Sequence, residues 1–260
     1  MTATFARRTG ACTLIAATTL ALAACGGVGA KVTYEDTEKG KITAIVIDDA
    51  TADVTVRTSA AAETHVTRVY RGTSNPKDSY HIVGTELHIA NQCRLTCHVE
   101  FQIQAPAGVA VRGKLTSGDV ALTDVGATDL SLTSGDVVVH GATGPVKIKA
   151  TSGDLTVSDA KAGATMEATS GDVQATNISG PVDATVDSGD ATVRMDAPAS
   201  VTARTGSGDL HLAVPTGGYQ IRTHHGSGDV HLGDGVTNDA SAKNVLDLRV
   251  GSGDLTVETA

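Results

Sequence analysis

Serine, glycine and aspartate recur together in this chain, and those residue types could carry three kinds of chemistry. Ser-Gly-Asp occurs eight times, starting at Ser117, Ser134, Ser152, Ser170, Ser188, Ser207, Ser227 and Ser252. Asp187-Ser188-Gly189 matches the triplet of aspartic proteases. That chemistry needs a second carboxylate sharing one proton in a bilobal fold, and here the triplet is only the fifth repeat with Asp where Thr usually stands. Ser207 and Ser227 sit in Gly-Ser-Gly, but the Gly-x-Ser-x-Gly elbow on a strand-to-helix turn is missing. An aspartate row could chelate calcium, yet the Gly-rich β-rolls that do so use a Gly-Gly-x-Gly-x-Asp unit at half this spacing. His211 and His231 share one outward position in consecutive repeats, so they are expected one rung apart with His224 and His225 between them. No thiolate or carboxylate motif completes a metal geometry around them. The residues therefore predict no catalytic centre, no cofactor and no metal site.

The elements that carry these residues explain the composition better. Successive repeat aspartates are separated by 17, 18, 18, 18, 19, 20 and 25 residues. Each is followed by an apolar, variable, apolar triplet such as Val137-Val138-Val139 or Leu155-Thr156-Val157, the period-2 alternation of a half-buried strand. The alternation returns upstream, as in Val146, Ile148 and Ala150 around Lys147 and Lys149. Each repeat thus reads as strand, Ser-Gly-Asp corner, strand, then a second turn rich in Gly, Asn, Asp or Pro. The predicted corner residues are Gly118, Asp119, Gly135, Asp136, Gly153, Asp154, Gly171, Asp172, Gly189, Asp190, Gly208, Asp209, Gly228, Asp229, Gly253 and Asp254. Glycine accepts positive φ, and Ser and Asp bond nearby amides.

No segment holds a 3.6-residue period for three turns, so the chain is expected to be all β. Near-constant repeats favour a single-stranded β-solenoid, like a parallel β-helix, with about 18 to 20 residues per coil. An antiparallel β-sandwich with the corners as hairpins is the competing fold. Eight rungs at about 4.8 Å would extend roughly 35 to 40 Å. Residues 115–260 form the repeat region. Residues 31–114, with strands in Ile42–Ile47, Val54–Val56, Val66–Val69, Leu87–Ile89 and Val99–Ile103 and longer connections, begin the same sheet and cap one end. The chain stops at Ala260 soon after the last triplet, so the final coil is expected to be open and to invite self-association.

Residues 1–24 read as an export signal, with Arg7 and Arg8 ahead of an uncharged apolar stretch. Its end, Leu22-Ala23-Ala24-Cys25, resembles the bacterial lipobox, which implies a diacylglycerol on the Cys25 thiol and a further acyl chain such as palmitate on its amine. Two or more chains anchor firmly where one is marginal. Residues 25–30 form a linker reaching at most about 20 Å, which keeps the folded part near the bilayer. Removing Arg7 and Arg8 takes the formal charge from −9 to −11. An acidic chain with no basic cluster excludes nucleic acid as a partner. There is no Trp, and Phe101, Tyr34, Tyr70, Tyr80 and Tyr219 are the aromatics beyond the signal, too few for a stacking surface. Cys93 and Cys97 remain as a pair, and outside the cell a disulfide clipping a short turn is expected.

The lipobox, the run Ile103-Gln104-Ala105-Pro106-Ala107-Gly108-Val109-Ala110-Val111 and the serial Ser-Gly-Asp-Val or Ser-Gly-Asp-Leu units together resemble the bacterial putative-adhesin family of β-strand-repeat proteins, a domain of unknown function. The resemblance covers residues 31–260. It implies a β-solenoid envelope protein, often membrane-linked, with no enzyme activity attached, and it supplies no site residues. The expected function is therefore non-enzymatic: a lipid-anchored surface on the outer face of the cell membrane, for adhesion, scaffolding or sensing through an unknown protein or envelope glycan partner. The rival reading is a polysaccharide-active enzyme of the parallel β-helix type, for which basic and aromatic residues are scarce.

Overall fold

The computed structural model describes residues 31–72, 79–90 and 97–260. Among them there are 24 strands and no helix. The signal segment, the linker with Cys25, and Cys93 lie outside the described residues; Cys97 enters only as the first backbone position of strand Cys97–Pro106.

Each repeat places its longer strand in one sheet and its shorter strand in the other, and the Ser-Gly-Asp corner joins them. Val146–Ser152 and Leu155–Ser158 are typical, with every second residue buried. Both sheets have twelve strands. In the repeats the pairing is parallel and in register: Ile148 lies between Leu130 and Met166, and Val137 between Val120 and Leu155. The inward-facing rows, among them Leu130, Ile148, Met166, Val139, Val157 and Val193, form one continuous core between the sheets. A strand buried on one face has a fixed register, because a slip of one residue would turn every Val and Leu outward.

Among the described residues antiparallel pairing, the alternative expected for the whole chain, is confined to the first strands. Ala44–Thr51 and Asp53–Ser59 make a rung beside the first Ser-Gly-Asp repeat, although Ala52 and Asp53 stand where later rungs have Gly-Asp. Beyond it, Cys97–Pro106 runs parallel to Asp53–Ser59, and Thr64–Gly72 and Lys31–Glu38 follow antiparallel. In the other sheet Glu86–Ile89 runs parallel to Ala44–Thr51, and Tyr80–Val83 ends the sheet antiparallel. Twelve strands at about 4.8 Å span roughly 50 Å. The sheets are longer than eight rungs because these strands extend them and, at the opposite end of the second sheet, Val236–Asn238 adds one more.

The other end corrects the sequence reading. Strands Val245–Ser252 and Leu255–Thr259, last in the chain, are not at the edge. They lie between the rung of Val201–Ser207 and Leu210–Val214 and the rung of Gly217–Ser227 and Val230–Leu232. In the sheet that holds Val230–Leu232 the open edge therefore belongs to the Asp229 rung, while in the other sheet Val236–Asn238 lies outside Gly217–Tyr219 of that rung; His211 and His231 are two strands apart with Thr256 between them. The inward residues supply the physical reason. In the Asp254 rung they are Leu246, Leu248, Val250, Leu255 and Val257, each at most 2% exposed, which requires a neighbour on both sides. The corresponding residues of the Asp229 rung include Thr223 and His225, which tolerate an end position, and His225 is exposed there.

The corner itself demands glycine. The eight repeat glycines have φ between +118° and +139°, and a Cβ on any of them would meet the carbonyl oxygen of the preceding rung at 2.0–2.3 Å. Both the left-handed conformation and the stacked backbone exclude a side chain. Gly171→Ala is accordingly expected to lower unfolding stability by more than about 2 kcal/mol. Gly40→Ala, where a Cβ would meet nothing within 4 Å, leaves stability nearly unchanged. Urea unfolding of the two variants checks this, and equal losses would refute it.

Candidate functional site

The aspartates of the corners form a single row, and each serves the backbone of its neighbour. At a corner the strand ladder breaks, leaving the aspartate amide without a carbonyl from the rung below. The carboxylate of that rung takes its place. Asp136 N donates to Asp119 Oδ1 at 3.0 Å, Asp154 N to Asp136 Oδ1 at 2.9 Å, Asp172 N to Asp154 Oδ1 at 2.8 Å and Asp190 N to Asp172 Oδ1 at 2.9 Å. The relay continues at 2.8 Å from Asp209 to Asp190, from Asp254 to Asp209 and from Asp229 to Asp254. Glycine amides point the other way, as in Gly171 N to Ser188 O at 3.1 Å.

The row begins one rung earlier than the sequence motif reveals. Asp119 N donates to Asp53 Oδ1 at 3.1 Å, and Asp53 Oδ2 is held by His98 Nε2 at 2.9 Å. The signal for Asp53 was present in Val54-Thr55-Val56, the apolar, variable, apolar triplet that follows it. Without Ser-Gly in front it did not stand out.

The other singled-out residues do not converge. Ser188 is simply the row member between Ser170 and Ser207, and Ser252 separates Ser207 from Ser227. His224 pairs in register with Arg249, and His225 with Val250. Among the described residues no three His, Cys, Asp or Glu side chains are grouped so as to hold a metal ion.

Two polar constellations near the first strands were not anticipated. Val66, Arg68 and Tyr70 alternate along Thr64–Gly72, so Arg68 faces inward with its apolar neighbours. Its guanidinium donates from Nη2 to Asp36 Oδ2 at 2.6 Å and from Nη1 to Ser79 Oγ at 3.0 Å. It also lies 5.3 Å from the Tyr34 ring centre and 4.9 Å from that of Tyr80. Tyr80 donates its hydroxyl to Glu38 Oε1 at 2.7 Å. Burial, and then that hydrogen bond, hold the Tyr80 phenol well above its ordinary range; burial also raises Tyr70. Three of the four tyrosines thus close one end of the core around a paired arginine. The period-2 pattern of Val66, Arg68 and Tyr70 could have revealed it.

On the outer face of the other sheet, Arg112 Nη2 donates to both Glu86 carboxylate oxygens at 2.9 Å, and His88 reaches Asp48 Oδ2 at 2.8 Å. The hydrogen bond from Arg112 holds the Glu86 carboxyl below the usual range. These groups are paired on an exposed sheet, which suits an ion-pair network rather than proton transfer.

The Toastrack DUF4097 family profile matches residues 42–258, and the chain belongs to this uncharacterised family of adhesin-like proteins. A Bacteroides fragilis protein described as a "putative adhesin" is similar in fold, with a TM-score of 0.55 and 15% identity over 90% of this chain and 100% of that one. A "putative adhesin" from Parabacteroides merdae has a TM-score of 0.35 and 13% identity, covering 88% of this chain and 96% of its own. A "putative lipid binding protein" from Parabacteroides distasonis has a TM-score of 0.29 and 12% identity over the same shares. No curated protein matches the chain.

Removing the carboxylate of Asp172 leaves the exposed Asp190 amide to water, so Asp172→Ala is expected to lose about 0.5–1.5 kcal/mol. Asp172→Asn keeps an oxygen acceptor and loses less; chemical unfolding distinguishes them. Raised phenols have a defined sign: they stay neutral in the fold while the unfolded chain ionises near pH 10. Their contribution is complete below that pH and is lost as pH rises beyond it. Melting temperature followed upward from about pH 8 should fall less steeply for Tyr80→Phe than for the wild type.

Proposed function

We propose that the chain is a non-enzymatic envelope protein, held on the outer face of the bacterial cell membrane by a lipid on Cys25, that presents a stiff solenoid surface for adhesion, scaffolding or sensing. The observation that carries this reading is the use made of the repeated aspartates. The most conspicuous chemical groups of the chain accept backbone hydrogen bonds from the next rung, which makes them scaffold. Aspartate-to-aspartate bonds spanning 17, 18, 18, 18 and 19 residues support one chain winding through about 18 to 20 residues per coil. Membership of the Toastrack family and the adhesin-like fold neighbour agree with a surface role. The Cys93–Cys97 disulfide belongs to the same reading of an exported protein.

The partner is a protein or glycan of the envelope. It meets the mixed outer faces, where Lys149 pairs with Glu167 and Arg204 lies between Asp183 and Asp247. Such surfaces recognise by shape and paired charge, since exposed pairs contribute little energy singly.

Expressed in a bacterium, the wild type is expected in the detergent phase on partition and Cys25→Ala in the aqueous phase. The mature protein should bind isolated envelope while releasing no reducing ends from wall or capsular glycans. Release of reducing ends would establish the enzyme reading instead.

A further inference from the structure

The permuted strand order leaves a built acceptor in the molecule. From Val214 the chain enters Gly217–Ser227 two places further along the sheet, skipping one strand position in each sheet. The Asp254 rung fills both positions. Its corner is gripped from both sides by the relay: Gly208 N donates to Ser252 O and Leu210 N to Asp254 O at 2.9 Å, while Gly253 N donates to Ser227 O at 3.0 Å and Leu255 N to Asp229 O at 2.9 Å. Asp254 both donates to Asp209 Oδ1 and accepts from the Asp229 amide. The fit includes the backbone, since a Cβ on Gly251 would meet Gly206 O at 2.4 Å and one on Gly226 would meet Gly251 O at 2.4 Å.

Both walls of this slot are joined to each other through the chain that precedes the insert. The insert follows both walls in the sequence. It is joined to the Asp229 rung only through residues 233–244, part of which, Val236–Asn238, is tied to Gly217–Tyr219. Withdrawn, the segment exposes five inward residues that are at most 2% exposed in place, Leu246, Leu248, Val250, Leu255 and Val257. It also leaves the Asp209 carboxylate and the Asp229 amide without the partners they have here. An apolar strand–corner–strand segment and a slot of matching register are thus created in the same event.

We infer that this slot is a docking site for the C-terminal segment of a second copy of the chain, so that two copies exchange their Asp254 rungs. The hydrogen bonds and core contacts of the rung itself are the same whether the segment comes from its own chain or another. The intrachain arrangement is favoured by the effective concentration set by the short connection, on the order of millimolar for such linkers, and by the bonds of that connection, Gln220 N to Asn244 O at 2.9 Å and Gln220 Nε2 to Ala242 O at 2.8 Å. Reciprocal exchange closes a twofold pair with both slots filled. The exchange goes beyond the surface role proposed above and does not depend on the lipid anchor.

Ser207 and Ser252 are exposed register partners across the slot. Two differently tagged full-length chains, one carrying Ser207→Cys and the other Ser252→Cys, are unfolded, mixed, refolded at high concentration and oxidised. Mass spectrometry should find a disulfide joining positions 207 and 252 of different chains, about tenfold above that in a dilute refolding. A mixture of Ser188→Cys and Ser252→Cys chains, whose positions are not neighbours in either arrangement, sets the background. The double variant Ser207→Cys/Ser252→Cys must close within one chain, which shows that the geometry permits the bond. Closure in the double variant with no interchain bond above background in the mixture would overturn the inference.

Discussion

The structure depends on how a parallel stack turns a corner. Along the strands, backbone carbonyls meet backbone amides from rung to rung. At the corner that register is interrupted, and an aspartate amide would be left facing a rung that offers no main-chain oxygen. A carboxylate of the rung below supplies it, and a hydrogen bond to a charged acceptor is stronger than one between neutral groups. The glycine one residue earlier lets the two corners approach closely enough for that bond to form, with backbone separations that no Cβ could share. Glycine and aspartate recur together because one contact, an aspartate amide on a carboxylate oxygen beside a bare Cα, is repeated at each Ser-Gly-Asp corner.

This constraint also explains what was legible in the sequence. The repeated corner and the alternating triplet after it made the all-β class and the stacked parallel strands readable, since each is a local pattern repeated at nearly constant spacing. The Asp53 rung was less visible because Ala52 stands in the glycine position at the start of the row. Arg68 and the tyrosines around it were missed because the meeting of Asp36, Arg68, Ser79 and Tyr80 depends on antiparallel pairing of Lys31–Glu38 with Thr64–Gly72 and on the approach of Tyr80–Val83 from the other sheet.

The order of the last two rungs shows a different limit. Spacing along the chain ranks the repeats by sequence, whereas the stack ranks them by how many neighbours their inward side chains require. Leu246, Leu248 and Val250 want two neighbours, while Thr223 and His225 accept one, and the chain satisfies both by letting the terminal segment fold back. The polarity of positions 223 and 225 marks the rung that stands at the end. It becomes decisive only when the rungs are compared as competitors for the end position.

One consequence concerns how such a molecule changes size. Because every interior rung offers the same corner contacts above and below, removal or duplication of one unit of about 18 residues leaves the junctions chemically unchanged. Length can therefore evolve in discrete increments of about 4.8 Å, each a small genetic event, while the tyrosine-lined end and the polar final rung remain as fixed termini. A lineage can in this way adjust how far the body of the protein extends without redesigning either terminus.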